Sequence, residues 1–170
     1  QVCYVTTENS HNISQLIMLR DAASILDQSP SRKDGVSEEV ERKHRVFGCE
    51  MIQEAGILLR LPQVVMATAQ TLYHRFFYRK SFKQFDAFQV SMSALFLAAK
   101  IEEQPKGLKQ LLTVFYHINL KRRNVPTRPL ELHGTRYVQW NRDLIRTERI
   151  ILKELGYKLY GIMEHPHKFI

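Results

Sequence analysis

Between Ala87 and Ile101, 11 of 15 residues are apolar, and they fall on every side of a helical wheel. A helix that is apolar all round is wrapped by other helices or lies in a membrane. The stretch is shorter than the roughly 20 residues a span needs, so wrapping is the reading. Its ends are marked. Asp86 is placed to cap the first turn, Gln89 stands at the capping-box position, and Pro105 and Gly107 stop the helix. Ala87, Ser91, Ser93, Ala94, Ala98 and Ala99 are small enough to let neighbouring helices approach closely. One residue breaks the pattern. Lys100 lies beside a buried stripe and needs either water or a partner.

The rest of the chain supplies the wrapping. Ser37 reads as the cap of a helix over 38–59, with Glu38 and Glu39 in its first turn and Phe47, Met51, Ile52, Ala55, Leu58 and Leu59 at helical spacing. Pro62 opens the next helix, with a stripe of Val65, Ala69, Leu72, Tyr73, Phe76 and Phe77. Lys80 to Phe85 is a short connection to the apolar helix. After Gly107 comes a fourth, with Leu108, Leu111, Leu112, Phe115 and Ile118 on one face. Residues 121–134 read as a basic, proline-containing loop. A fifth helix spans Thr135 to Leu155 and ends at Gly156. The fold class is all-α, five helices around the third, with a possible extra N-terminal helix over Ile13–Leu26. Residues 1–28 form a weakly helical N-terminal segment, 29–36 a linker, 37–157 the packed domain, and 158–170 the start of a further link. The aromatics Phe76, Phe77, Tyr78, Phe85 and Phe88 are assigned to the core.

Glu148 is the second intruder. It stands four residues after Leu144 and four before Leu152, within the apolar stripe of the fifth helix. Two core helices thus carry one charge each, of opposite sign. Lys100 and Glu148 either pair with each other or jointly meet something outside. Taken singly, Lys100 also reads as a helix-end lysine snorkelling to water, and Glu148 as half of an internal salt bridge with Arg75 or a lysine.

Length and charge bound the remaining options. With 170 residues and 44% apolar content the chain makes one domain with a true core. No stretch reads as a membrane span or signal peptide. Cys3 and Cys49 fit no zinc spacing and read as reduced thiols of a cytosolic or nuclear protein, Cys49 being a small core residue. His165 and His167 lack further ligands nearby, so neither a metal nor a cofactor is expected. The net charge of +8 suits a basic surface, an acidic partner or nucleic acid. Lys121, Arg122, Arg123 and Arg128 are the candidate phosphate contacts, set against the commoner reading of a solvated loop. No nucleophile–base set or phosphate-cradling glycine loop is present.

The segments Leu-Ala-Ala-Lys-Ile-Glu-Glu-Gln-Pro-Lys (97–106) and Arg-Thr-Glu-Arg-Ile-Ile-Leu-Lys-Glu-Leu-Gly-Tyr (146–157) resemble the cyclin box. Residues 47–68, His-Arg-Phe-Phe-Tyr-Arg-Lys-Ser-Phe (74–82) and Glu-His-Pro-His-Lys-Phe-Ile (164–170) look like the transcription and splicing cyclins, the L-type above the K, T and C types. The resemblance covers about residues 29–170. It implies a non-enzymatic regulatory subunit that binds and activates a cyclin-dependent kinase, PITSLRE-type or related, in RNA polymerase II transcription and pre-mRNA splicing in the nucleus. It assigns kinase contact to Lys100 and Glu148, flanked by Ile101, Leu152 and Tyr157. Direct nucleic-acid binding and membrane attachment are not expected of it. Two alternatives stand beside it: a basic nucleic-acid-binding module of the same fold, and a truncated box that binds a kinase without activating it. The resemblance also implies a second helical repeat and an arginine-serine tail. The chain begins at Gln1 and stops where that repeat would start, so it reads as a first box from a fragment or truncated product. Two positions depart from the cell-cycle members. His44-Arg45-Val46-Phe47-Gly48 replaces their substrate-recruiting patch, and His74 stands where the partner aspartate of the arginine is expected.

Overall fold

The computed structural model describes residues 29–126, 128–132 and 134–157. Six helices follow one another in these residues: α1 (Pro30–Lys33), α2 (Glu38–Leu58), α3 (Gln63–Phe77), α4 (Ala87–Ile101), α5 (Leu108–Arg122) and α6 (Thr135–Glu154). No strand occurs among them. After the four-residue α1, the apolar α4 is the third of five longer helices, and α2, α3, α5 and α6 all pack on it. Ten of its residues are buried. The two buried hydroxyls in its middle are satisfied. Ser91 Oγ donates to Phe88 O at 2.8 Å, and Ser93 Oγ donates across the interface to Leu144 O at 3.3 Å. Asp86 caps the first turn as expected, accepting from Gln89 N at 3.2 Å.

The α2–α3 crossing is tight at two glycines of α2, Gly48 against Tyr73 and Gly56 against Met66. A Cβ at Gly48 would lie 2.1 Å from Tyr73 Cζ, so the backbone of α2 rests directly on that ring. Tyr73 is fully buried, and its hydroxyl donates to His44 O at 2.7 Å. The ring therefore has no room to swing aside.

Some expectations give way. Residues 29–36, a linker by composition, hold α1 and are fastened to the domain. Ser29 Oγ accepts from Arg32 N at 3.2 Å and donates to Glu41 Oε2 at 2.7 Å, while Ser31 Oγ accepts from Phe82 N at 3.1 Å. Hydroxyls do the docking, and hydroxyl-rich composition is also what marks a linker. Tyr78 is not core. It caps the C-terminus of α3, is exposed, and lies under the Arg45 guanidinium, 4.7 Å from its ring centroid. Phe76 and Phe77 are buried, and Phe85 and Phe88 pack half-buried against the core. Lys121 and Arg122 belong to the last turn of α5 rather than to a loop. Ile13–Leu26, Cys3, His165 and His167 lie outside the described residues. Among the described residues no helix is long and apolar enough to cross a membrane, and no three His, Cys, Asp or Glu side chains converge as a metal would require.

Candidate functional site

Two core helices bring the charged intruders together. α4 delivers Lys100 in its last turn, where the helix dipole favours a cation. α6 buries Leu144, Thr147, Glu148 and Ile151 against the hub. Lys100 Nζ donates to Glu148 Oε1 at 2.6 Å. The pair is lopsided: the Glu148 side chain is 11% exposed and that of Lys100 45%. The ammonium also sits 4.1 Å from the Phe96 ring centroid, a cation–π contact that holds the lysine stem against the helix. Of three ammonium donors, Glu148 takes one. The result is a sunken carboxylate that fixes a half-exposed cation at the rim of an apolar surface.

The flanking residues sit on the same two helix ends. Ile101 is half-buried one position beyond Lys100, and Leu152 is half-buried one turn beyond Glu148. Gly156 (φ 69°) and Tyr157 (φ 56°) take left-handed backbone, and Tyr157 N donates to Leu152 O at 3.0 Å. This turn closes α6 and leaves Tyr157 68% exposed. Arg79 Nη1 donates to Glu154 O, and Lys80 Nζ pairs with Glu154 at 3.0 Å, so the α3–α4 connection clamps that end of α6.

The basic cluster does not form one surface. Lys121 Nζ lies 3.0 Å from Glu54, and Arg122 meets Glu50 at 3.0 Å and Glu54 at 3.3 Å. Burial pushes the Glu54 carboxyl up, but hydrogen bonds and charge from Lys121 and Arg122 outweigh it and hold the group below its usual range. Two of the four candidate phosphate contacts are thus spent on α2. Arg123 and Arg128 remain exposed.

His74 does not replace the missing aspartate; Glu41 does. Arg45 donates to Glu41 Oε1 through Nη2 at 2.7 Å and Nε at 3.1 Å, and to Phe77 O at 3.3 Å. The signal was present as an i,i+4 acid–base spacing on α2. His74 Nδ1 lies 3.4 Å from Arg45 Nη1 and Nε2 lies 3.1 Å from Cys49 Sγ. A guanidinium only donates, so Nδ1 is the acceptor and the ring proton sits on Nε2, facing the sulfur. Burial, and then the Arg45 charge, lowers the His74 pKa to about 4. Burial raises the Cys49 thiol, which Arg45 only partly offsets. The His74–Cys49 pair is therefore neutral at pH 7. Because the folded pKa lies below the unfolded value of about 6.5, the unfolded chain binds the extra proton. Stability is full above pH 6.5 and falls as the pH drops toward 4, by up to about 3 kcal/mol. A His74→Gln variant should flatten this segment of a urea-denaturation pH profile.

His44 and Phe47 of the 44–48 segment line a cleft of about 660 Å³ between α2, the start of α4, the end of α5 and α6. Its apolar wall comes from Phe47, Met51, Met92 and Trp140, with Asp86 and Asp143 beside them.

The family model for the cyclin N-terminal domain matches residues 13–160. Cyclin-L1-1 of Oryza sativa subsp. japonica is 50% identical over 145 residues, 85% of this chain and 34% of the relative. Cyclin-L1 of Homo sapiens is 45% identical over 145 residues, 85% of this chain and 27% of the relative. Cyclin-L2 of Mus musculus is 45% identical over 142 residues, 84% of this chain and 27% of the relative. The chain spans about a third or less of the length of these curated relatives. Cyclins are regulatory, non-catalytic proteins that partner cyclin-dependent kinases. With a matched domain over most of its length and a helical bundle built around α4, the chain belongs to the cyclin family, as a cyclin N-terminal domain similar to the L-type cyclins.

Proposed function

We propose that this chain binds and activates a cyclin-dependent serine/threonine kinase of the PITSLRE type or a related transcriptional kinase, and serves RNA polymerase II transcription and pre-mRNA splicing in the nucleus. The observation that carries the reading is the Lys100–Glu148 pair, bonded at 2.6 Å at the edge of an apolar surface. An ion pair set among apolar residues gives an interface register as well as area. Ile101, Leu152 and Tyr157 supply that area. Activation is a population shift, in which the kinase conformer with its regulatory helix in place is the one that fits this surface. The test is capture and activation of purified cyclin-dependent kinases by this chain beside Lys100→Ala and Glu148→Ala. Each variant should lose at least tenfold in capture; equal capture by all three would remove the pair from the mechanism.

A second reading has an observation of its own. Ile57 and Leu58, at the end of α2, are 61% and 50% exposed. Such residues suit a surface that a second repeat covers. On that reading the chain captures a kinase without activating it, and only a two-repeat version restores activity. Kinase assays of the two side by side decide between these readings.

A further inference from the structure

α6 carries a surface that neither the kinase reading nor the 121–128 cluster uses. Arg142, Arg146, Arg149 and Lys153 stand at i, i+4, i+7 and i+11. At 100° and 1.5 Å per residue they form one row within about 60° of arc and about 16 Å long. The row points away from the core, opposite Leu144 and Ile151. All four side chains are exposed, and none takes part in an ion pair among the described residues. The carboxylates of α6 are committed elsewhere. Asp143 faces the α2 cleft, Glu148 holds Lys100, and Glu154 holds Lys80. Four cations therefore share a helix face with no acid on it.

The composition of the face tells which anion suits it. Thr135 and Gln139 complete the row, and exposed Val138 and Ile145 lie along one edge of it. A protein docking on a helix buries an apolar ridge, and the cores of protein interfaces are depleted in charge. Here Val138 and Ile145 flank the cations on one side only, and the row itself is made of charged and polar side chains. A phosphodiester strand needs no ridge: it is held by charge and counterion release, and guanidinium forks match phosphate oxygens. One row of cations, rather than two facing rows, follows one strand. Beside it, Arg142, Arg146 and Arg149 line a shallow hollow of about 530 Å³ with Ile145 and Ile150. Single-strand sites combine a cationic groove that tracks the backbone with aromatic side chains on which bases stack; this hollow supplies the cationic groove, with aliphatic walls in place of aromatic ones.

We propose that the outward face of α6 binds single-stranded nucleic acid through Arg142, Arg146, Arg149 and Lys153. This departs from the expectation of no direct nucleic-acid contact, and it stands independently of kinase binding.

The test is fluorescence anisotropy of this chain with 12-nucleotide oligouridylate and oligothymidylate across a salt series. Four phosphate contacts on a single strand give a log–log salt slope near −2.8, so affinity should fall about 50-fold between 50 and 200 mM salt. Arg146→Gln with Arg149→Gln should roughly halve that slope while the circular dichroism stays unchanged. Arg123→Gln with Arg128→Gln should leave binding as it was. No binding to either strand at 50 mM salt, or an unchanged slope in the Arg146/Arg149 variant, overturns the proposal. So does tighter binding to a 12-base-pair duplex or to polyglutamate than to the single strands.

Discussion

Exchanging the two charges of the central pair, Lys100→Glu together with Glu148→Lys, is expected to restore stability but not kinase capture. Each single reversal places like charges within a few ångströms of each other, where one side chain is nearly buried. The half-exposed position of residue 100 screens that repulsion, so the cost to folding is about 1–3 kcal/mol. The double exchange rebuilds the ion pair, losing only the contact of the ammonium with Phe96. Thermal denaturation should therefore return most of the way to wild type. On the proposed function, a kinase meets the pair from outside and reads its polarity. Inverting a charge pair within an interface costs about 2–5 kcal/mol, or roughly 30-fold to more than 1,000-fold in affinity. Capture should stay lost in the double variant. If capture returned together with stability, the pair would be an internal brace and the apolar residues Ile101, Leu152 and Tyr157 would carry the interface alone.

What the sequence discloses here follows from which interactions are local. α4 is legible because its signals are its own residues: an apolar wheel, a capping aspartate and a terminal Pro-x-Gly. The Lys100–Glu148 pairing is half legible. Each residue stands out within its own helix, but the 2.6 Å bond depends on how α6 crosses α4. The basic cluster misleads for the same reason. Lys121 and Arg122 are adjacent in sequence and look like one patch, yet their partners Glu50 and Glu54 lie on a helix far back in the chain. The cations of the α6 row are the converse case, dispersed in sequence and gathered by helical geometry. The 29–36 segment is hidden because its anchors are serine hydroxyls, and no periodicity of apolar residues announces them.

Glu41→Ala is expected to be the most damaging single substitution for the fold. Glu41 is 2% exposed on α2, ties α1 to α2, and holds the Arg45 guanidinium that reaches Phe77 O on α3. It accepts from Ser29 Oγ at 2.7 Å, from Arg45 at 2.7 Å, and pairs with Arg32 Nε at 3.5 Å. Removing it leaves the Arg45 guanidinium, itself 9% exposed, with the Phe77 carbonyl and a neutral imidazole. An uncompensated buried charge costs about 3–5 kcal/mol, a large share of the roughly 5–15 kcal/mol that holds a domain together. The loss should appear as a lower urea midpoint and as cleavage within residues 29–36 by a protease that spares the wild type. Ser29→Ala isolates the smaller part, the docking of α1, at about 1 kcal/mol. Removing both charges, Glu41→Leu with Arg45→Met, should recover most of what Glu41→Ala loses, because a buried pair replaced by apolar volume is close to neutral. A Glu41→Ala cost below 1 kcal/mol would mean that water reaches Arg45 as soon as its partner is gone. In that case the α1 segment, rather than the ion pair, would be what keeps this corner of α2 and α3 dry.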